Sequence, residues 1–241
     1  MDFSSVNSPP DYPTLAKLVK HLPTNSPGLK RLSLDILRCP DQRPQTFLKI
    51  LNDNTFTFPL STTLLLKIDA TCDGNFSDSL KAFFRRHSMI EVLHYHVRAN
   101  REMTTLPLAC PSILPKLRHY EGFVEAALLL CEVGNRQMER LVLTLSSYTE
   151  PVPRLARCIQ MRDRLLKMAS IRQLYLRDSR LGDSLANISS VIFLCPNLTH
   201  FECLLDAHTS NRRNTRLVYK TIMEVLPHLV YLKLRVQTWD N

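Results

Sequence analysis

Glycine is scarce in this chain, with 5 residues in 241, at Gly28, Gly74, Gly122, Gly134 and Gly182. No two lie close enough to build a glycine-rich phosphate loop, so the common nucleotide-binding turns are excluded. Cysteine is present but unorganised. The seven residues, Cys39, Cys72, Cys110, Cys131, Cys158, Cys195 and Cys203, are odd in number and contain no Cys-x-x-Cys spacing. Neither a disulfide framework nor a zinc ribbon follows from that pattern, and the thiols read as reduced and mostly buried. No uncharged apolar run reaches the about 18 residues that a membrane helix needs. The first twenty residues also lack a basic stretch followed by an apolar one. The expected location is therefore the cytoplasm or nucleus, and the Asn-x-Ser/Thr triplets at Asn75, Asn187 and Asn197 are expected to carry no glycan. His-Glu-x-x-His, Gly-x-Ser-x-Gly and paired carboxylates on a recognisable loop are missing as well. No enzyme, no cofactor and no resident metal is expected.

Leucine is the excess that answers these shortages: 41 residues, about one in six, in a chain that is 44% hydrophobic and 22% charged with a mean hydropathy of -0.11. The leucines recur in one pattern, an apolar residue, two variable ones, an apolar, one variable and an apolar. Clear copies are Leu29-Leu32-Leu34, Ile90-Leu93-Tyr95, Met138-Leu141-Leu143, Ile171-Leu174-Leu176 and Leu229-Leu232-Leu234. Degenerate copies start at Thr63 (with Leu66 and Ile68), Leu117 (with Tyr120 and Gly122) and Leu198 (with Phe201 and Cys203). The eight starts are spaced by 21 to 34 residues. Short alternating segments at such a spacing predict one strand per repeat, whose buried face must be covered by neighbouring repeats.

Proline supports the punctuation. Pro27, Pro115, Pro196 and Pro227 each stand two residues before a first apolar position, where proline ends a helix and extends the chain. Between the strands the 3.6-residue spacing predicts helices near Leu15 to Leu22, behind Asp11 and Pro13, and over 45–52, 78–87, 153–169, 184–195 and 213–226. The stretches 100–116 and 124–137 are expected to be irregular. No linker splits the chain, which predicts a capping helix segment over 1–28 followed by one repeat domain over 29–241.

These repeats, and especially Phe193-Leu194-Cys195-Pro196-Asn197-Leu198-Thr199-His200-Phe201, resemble the irregular leucine-rich repeats of F-box-type substrate receptors, in their divergent fungal form. The resemblance spans roughly residues 25 to 236. It implies an α/β leucine-rich-repeat solenoid, a horseshoe with parallel strands on the concave face and helices and irregular segments on the convex face. It further implies a protein-binding role, as in the substrate-recognition part of a ubiquitin ligase receptor. Such receptors carry an N-terminal F-box of about forty residues. Residues 1–28 hold one helix and no F-box, so a cullin ligase adaptor is an expected partner only where an F-box is supplied elsewhere.

In such a solenoid the outward strand positions form a continuous binding sheet. The position between the second and third apolar residues gives Ser33, Lys67, His94, Glu121, Val142, Tyr175, Glu202 and Lys233. Adding the rows on either side, the residues expected to meet a protein partner are His94, His96, His119, Phe123, Arg140, Tyr175, Arg177, Glu202, Tyr231 and Lys233. Aromatics and arginine among mixed charges suit a protein epitope. His94-x-His96 with His119 falls short of the ligand count of structural zinc.

The net charge of +9 leaves a second reading. Between Arg154 and Arg180 eight cations face only Asp163 and Asp178. Arg154, Arg157, Arg162, Arg164 and Lys167 would be the contacts for a polyanion such as RNA or an inositol phosphate. Aromatics for base stacking are nearly absent there, and a solvated helix face accounts for the same residues. A nucleic-acid partner is therefore the less expected outcome, and no membrane partner is expected.

Overall fold

The computed structural model describes residues 20–36, 49–69, 76–98, 108, 112–133, 137–144, 168–177, 188, 192–193, 195–206 and 212–237. The chain folds into two compact units, Met1–Leu117 and Arg118–Asn241.

The first unit contains β1 (Arg31–Ile36), β2 (Thr63–Asp69), helix α1 (Phe76–Arg86) and β3 (Val92–Arg98). The three strands pair in parallel and in sequence order, with Leu32, Leu64 and Leu93 in one row and Leu34, Leu66 and Tyr95 in the next inward one. The second unit contains β4 (His119–Phe123), α2 (Val124–Val133), β5 (Arg140–Thr144), β6 (Gln173–Leu176), β7 (His200–Asp206), α3 (Arg212–Val225) and β8 (Tyr231–Gln237). Its five strands are again parallel and sequential, and Tyr120, Leu141, Leu174, Phe201 and Leu232 share one row. Such an α/β arrangement of sequential parallel strands is compatible with a solenoid-like stacking of repeats.

Two backbone devices recur and explain why the repeats stay in step. Before seven of the eight strands, the N–H of the repeat's first position donates to the carbonyl three residues earlier, at 3.0 to 3.3 Å, in Leu29, Ser61, Ile90, Leu117, Ile171, Leu198 and Leu229. Proline, with its fixed φ and no N–H to lose, suits the second position of such a turn. Then, in six repeats, the carbonyl of the residue after the start takes two consecutive N–H groups from the next repeat. Lys30 accepts from Thr62 and Thr63, Thr62 from Glu91 and Val92, Arg118 from Glu139 and Arg140, Glu139 from Arg172 and Gln173, Arg172 from Thr199 and His200, and Thr199 from Val230 and Tyr231. Both lone pairs of each carbonyl are thereby used.

These bonds correct the frame of the second repeat. Its first position is Ser61, not Thr63, so that its inward pair is Leu64 and Leu66. Leu65 rather than Lys67 stands between Ser33 and His94. Sequence patterning missed this because the position is filled by a serine that is buried as deeply as its apolar counterparts, within 3.4 Å of the Lys30 and Thr63 carbonyls. With the frame corrected, Pro59 joins Pro27, Pro115, Pro196 and Pro227 at the turn.

Helices α1 and α3 lie where 78–87 and 213–226 were expected, and helical residues at 20–25, 49–52 and 192–193 fall within or beside other expected helices. The irregular connection expected over 124–137 is instead α2, which follows β4 without a break. Val-Glu-Ala-Ala-Leu-Leu-Leu-Cys-Glu-Val is apolar on most sides, so no amphipathic period marks it. Burial of Val124, Ala126, Ala127, Leu130 and Cys131 accounts for that composition. The core of 153–169 lies outside the described residues.

The first unit's core is aromatic. Phe56 meets Phe58 edge-on at 5.1 Å and Phe83 at 6.1 Å, and Phe84 lies 6.2 Å from Tyr95. All five rings are fully buried. Edge-to-face and offset contacts of this kind add about 1 kcal/mol per pair to the burial itself. The second unit's core is aliphatic by comparison, built from Leu141, Leu174, Ile171, Ile188, Ile192 and Leu198 around Phe201.

Candidate protein-binding face

Alternation on β4 to β8 sends one set of side chains inward and leaves the other set on a single outer face. The outer rows are His119, Arg140, Gln173, His200 and Tyr231, and then Glu121, Val142, Tyr175, Glu202 and Lys233. Phe123, Arg177 and Arg235 extend the face.

Most of these side chains are engaged across strands. The guanidinium of Arg140 lies 4.7 Å from the centroid of the Tyr175 ring, and the Tyr175 hydroxyl donates to Gln173 Oε1 at 3.4 Å. Arg177, the residue after β6, donates to Glu121 Oε1 at 2.6 Å, across β5 to β4. Val142, between Glu121 and Tyr175 in the register, is consequently only 2% exposed despite its outward position. Arg235 Nε approaches Glu202 Oε1 at 3.0 Å. The rings of His200 and Tyr231 stack at 5.7 Å. At the turn side Glu139 receives Arg118 at 3.4 Å and lies 3.9 Å from His119 Nε2. Opposite charges and aromatic faces set beside one another make a patterned surface of both signs rather than a uniformly basic one.

Of the residues expected to meet a partner, His119, Phe123, Arg140, Tyr175, Arg177, Glu202, Tyr231 and Lys233 are gathered on this face. His94 and His96 lie on β3 in the first unit, both half-buried and two residues apart on one strand face. No group of three potential metal ligands occurs among the described residues. Arg154, Arg157, Arg162, Arg164 and Lys167 lie outside the described residues. Of the same cluster Arg172 is held by the Asn197 carbonyl at 3.1 Å and Arg177 by Glu121.

Sequence reasoning placed Glu121 and Val142 in the outward row without counting them among the partner contacts, and it did not find Glu139. Only the strand register brings Glu121 within reach of Arg177, 56 positions away in the chain, and no local pattern could reveal it. The groups whose titration the fold displaces lie elsewhere. Burial lowers His87 and Arg86 and raises the Cys195 thiol, while Thr55 hydrogen bonds lower Asp53. No described helix is long and apolar enough to cross a membrane.

Compared with protein-family models and with curated proteins, the chain matches none.

Proposed function

We propose that this chain is a non-enzymatic protein-interaction module, built of leucine-rich repeats in a horseshoe, that presents the outer face of its strands to a protein partner in the cytoplasm or nucleus. The observation that carries the reading is the face on β4 to β8. Its side chains are ordered by cross-strand pairing before any partner arrives, which lowers the entropy lost on association. Arg140 over Tyr175 places a large flat anchor near the middle of that face, the type of residue that dominates interface energetics. Repeats in register, turns closed two residues before seven of the strands and proline at five of those turns support the repeat assignment. The substrate-reading half of an F-box-like ubiquitin ligase receptor is the specific role that the repeat texture favours.

The test is affinity capture from cell extract with the wild-type chain and with an Arg140→Ala, Tyr175→Ala double variant of unchanged melting temperature. A partner recovered by the wild type is expected to be at least about tenfold depleted with the variant, given typical losses on truncating central interface residues. Equal recovery would overturn the assignment of the face.

A further inference from the structure

Strand β8 is the last strand of the second unit among the described residues, yet it is not built as a strand that faces water. On β5, β6 and β7 the inward side chains Leu141, Leu143, Leu174, Leu176, Phe201 and Cys203 are at most 5% exposed. Their counterparts on β8, Leu232 and Leu234, are only half-buried, and Val236 is 50% exposed. A terminal place does not by itself cause this. In β1, the first strand of the first unit, Leu32 and Leu34 are 4% and 8% exposed. Exposed apolar side chains are concentrated at this end: among the described residues, six of the nine large ones fall between Leu217 and Val236.

Among the described residues no strand pairs with β8 on the side away from β7. Tyr231 donates its N–H to the carbonyl of Thr199, the residue that precedes β7. Strand alternation therefore turns the N–H and C=O groups of Leu232, Leu234 and Val236 toward the free edge. On the outer face β8 carries Lys233 and Arg235. Arg235 is matched by Glu202 from β7, whereas Lys233 has no carboxylate within salt-bridge distance among the described residues.

We infer that the free edge of β8 accepts an extended segment of a partner protein whose side chains alternate between apolar and acidic. The apolar side chains would close over Leu232, Leu234 and Val236, the acidic ones would stand beside Lys233 and Arg235 as Glu202 does on the other side, and the backbones would complete the ladder. A second copy of the same strand fits poorly. The strand carries no carboxylate, so no register sets an acidic side chain beside Lys233: an antiparallel pair centred on Leu234 sets Lys233 against Arg235, and pairs centred on Leu232 or Val236 offer only Tyr231 or Gln237. The edge borders the outer face and shares Lys233 and Arg235 with it, but it needs neither Arg140 nor Tyr175, so loss of binding in the Arg140→Ala, Tyr175→Ala variant and loss of edge protection are separate outcomes.

Two labelled peptides of about eight residues, the length of an ordinary strand, separate the outcomes on the full chain. One alternates valine with glutamate and the other valine with lysine. Fluorescence anisotropy is expected to show the glutamate peptide binding at least about tenfold more tightly. Hydrogen exchange is expected to slow at the Leu232 and Leu234 amides in its presence. Val236→Pro, which removes an edge donor and leaves the β7 pairing alone, is expected to keep the melting temperature and lose that protection. Lys233→Glu is expected to shift the ranking toward the lysine peptide, a gain that a misfolded variant would not give. Equal affinity for both peptides, absence of binding, or protection confined to other strands would overturn the inference. So would sedimentation of the unliganded chain as a dimer with protected β8 amides, which would assign the edge to a second copy.

Discussion

His87 shows how one buried side chain can be set by a fold whose pattern is otherwise apolar. It occupies the turn position that Phe58, Leu114, Met168, Cys195 and Leu226 occupy in other repeats, three residues before the strand motif. Its ring lies 4.1 Å from that of Phe83 and 6.0 Å from that of Phe58. Nε2 accepts the Phe58 N–H at 3.1 Å, which fixes the neutral tautomer with Nδ1–H donating to the Phe83 carbonyl at 2.7 Å. Burial holds its pKa below the ordinary 6.5, the nearby Arg86 charge acts in the same direction, and the Phe83 carbonyl opposes both. In the unfolded chain the ring takes up a proton near pH 6.5, and in the folded chain it does so only at lower pH. The unfolded state therefore binds more protons as the pH falls through that window, and this contribution to stability is complete above it and declines below. Denaturation at pH 7 and pH 5 is expected to show a larger loss for the wild type than for His87→Leu. At pH 7 the variant itself should be weaker by about 1 to 3 kcal/mol, because the Phe58 N–H is left without an acceptor. Parallel pH profiles for the two proteins would show that His87 is not the group responsible. The sequence held eight histidines, and His87 stood out only once the hydrogen bonds had aligned the turns.

At the scale of the strand, sequence makes Leu174 and Leu232 equivalent, since both are the second apolar position of a clear repeat. The structure separates them. Leu174 is fully buried between Leu141 and Phe201, whereas Leu232 is half-buried on the terminal strand. Leu174→Asp would place an unpaired carboxylate in an apolar layer at a cost of several kcal/mol, comparable to the whole stability of a small unit. It is expected to abolish the cooperative thermal transition of the second unit, followed by far-ultraviolet circular dichroism. Leu232→Asp is expected to cost about 1 to 2 kcal/mol and leave a transition in place. Equal effects would contradict the burial gradient. The same contrast marks what the sequence could disclose. All eight strands lie at or beside an apolar motif, because alternation is local and each repeat must hide the same two positions. The register of the second repeat was legible only with Ser61 recognised as a core residue. Helix α2 was concealed because burial on several sides removes the polar half of a helical period. Membership of the outer face was legible row by row, but not its pairing: the Arg177 to Glu121 bridge depends on strands brought together by the fold.

For the whole chain the deciding quantity is how a charge of +9 is distributed. Where cations are described, carboxylates and rings stand beside many of them: Glu121 by Arg177, Glu202 by Arg235, Glu139 by Arg118, Asp53 by Lys20 and Tyr175 by Arg140. Interspersed signs give a surface whose long-range field is weak at physiological salt, where the screening length is about 8 Å. A partner bound through such a face should therefore lose less than about tenfold in affinity between about 50 and 200 mM salt. A polyanion held by Arg154, Arg157, Arg162, Arg164 and Lys167 would behave otherwise. Five neutralised phosphates on a duplex imply a logarithmic slope near -4 to -5, or a loss of about two to three powers of ten over the same interval. Titrating the captured partner and a double-stranded RNA across that salt range distinguishes the two. The expected result is a shallow slope for the protein partner and no saturable RNA binding at the higher salt. A steep slope for the partner itself, abolished by neutralising those five cations, would move the binding site from the strand face to the basic segment, since only a cluster of one sign can release that many counterions at once.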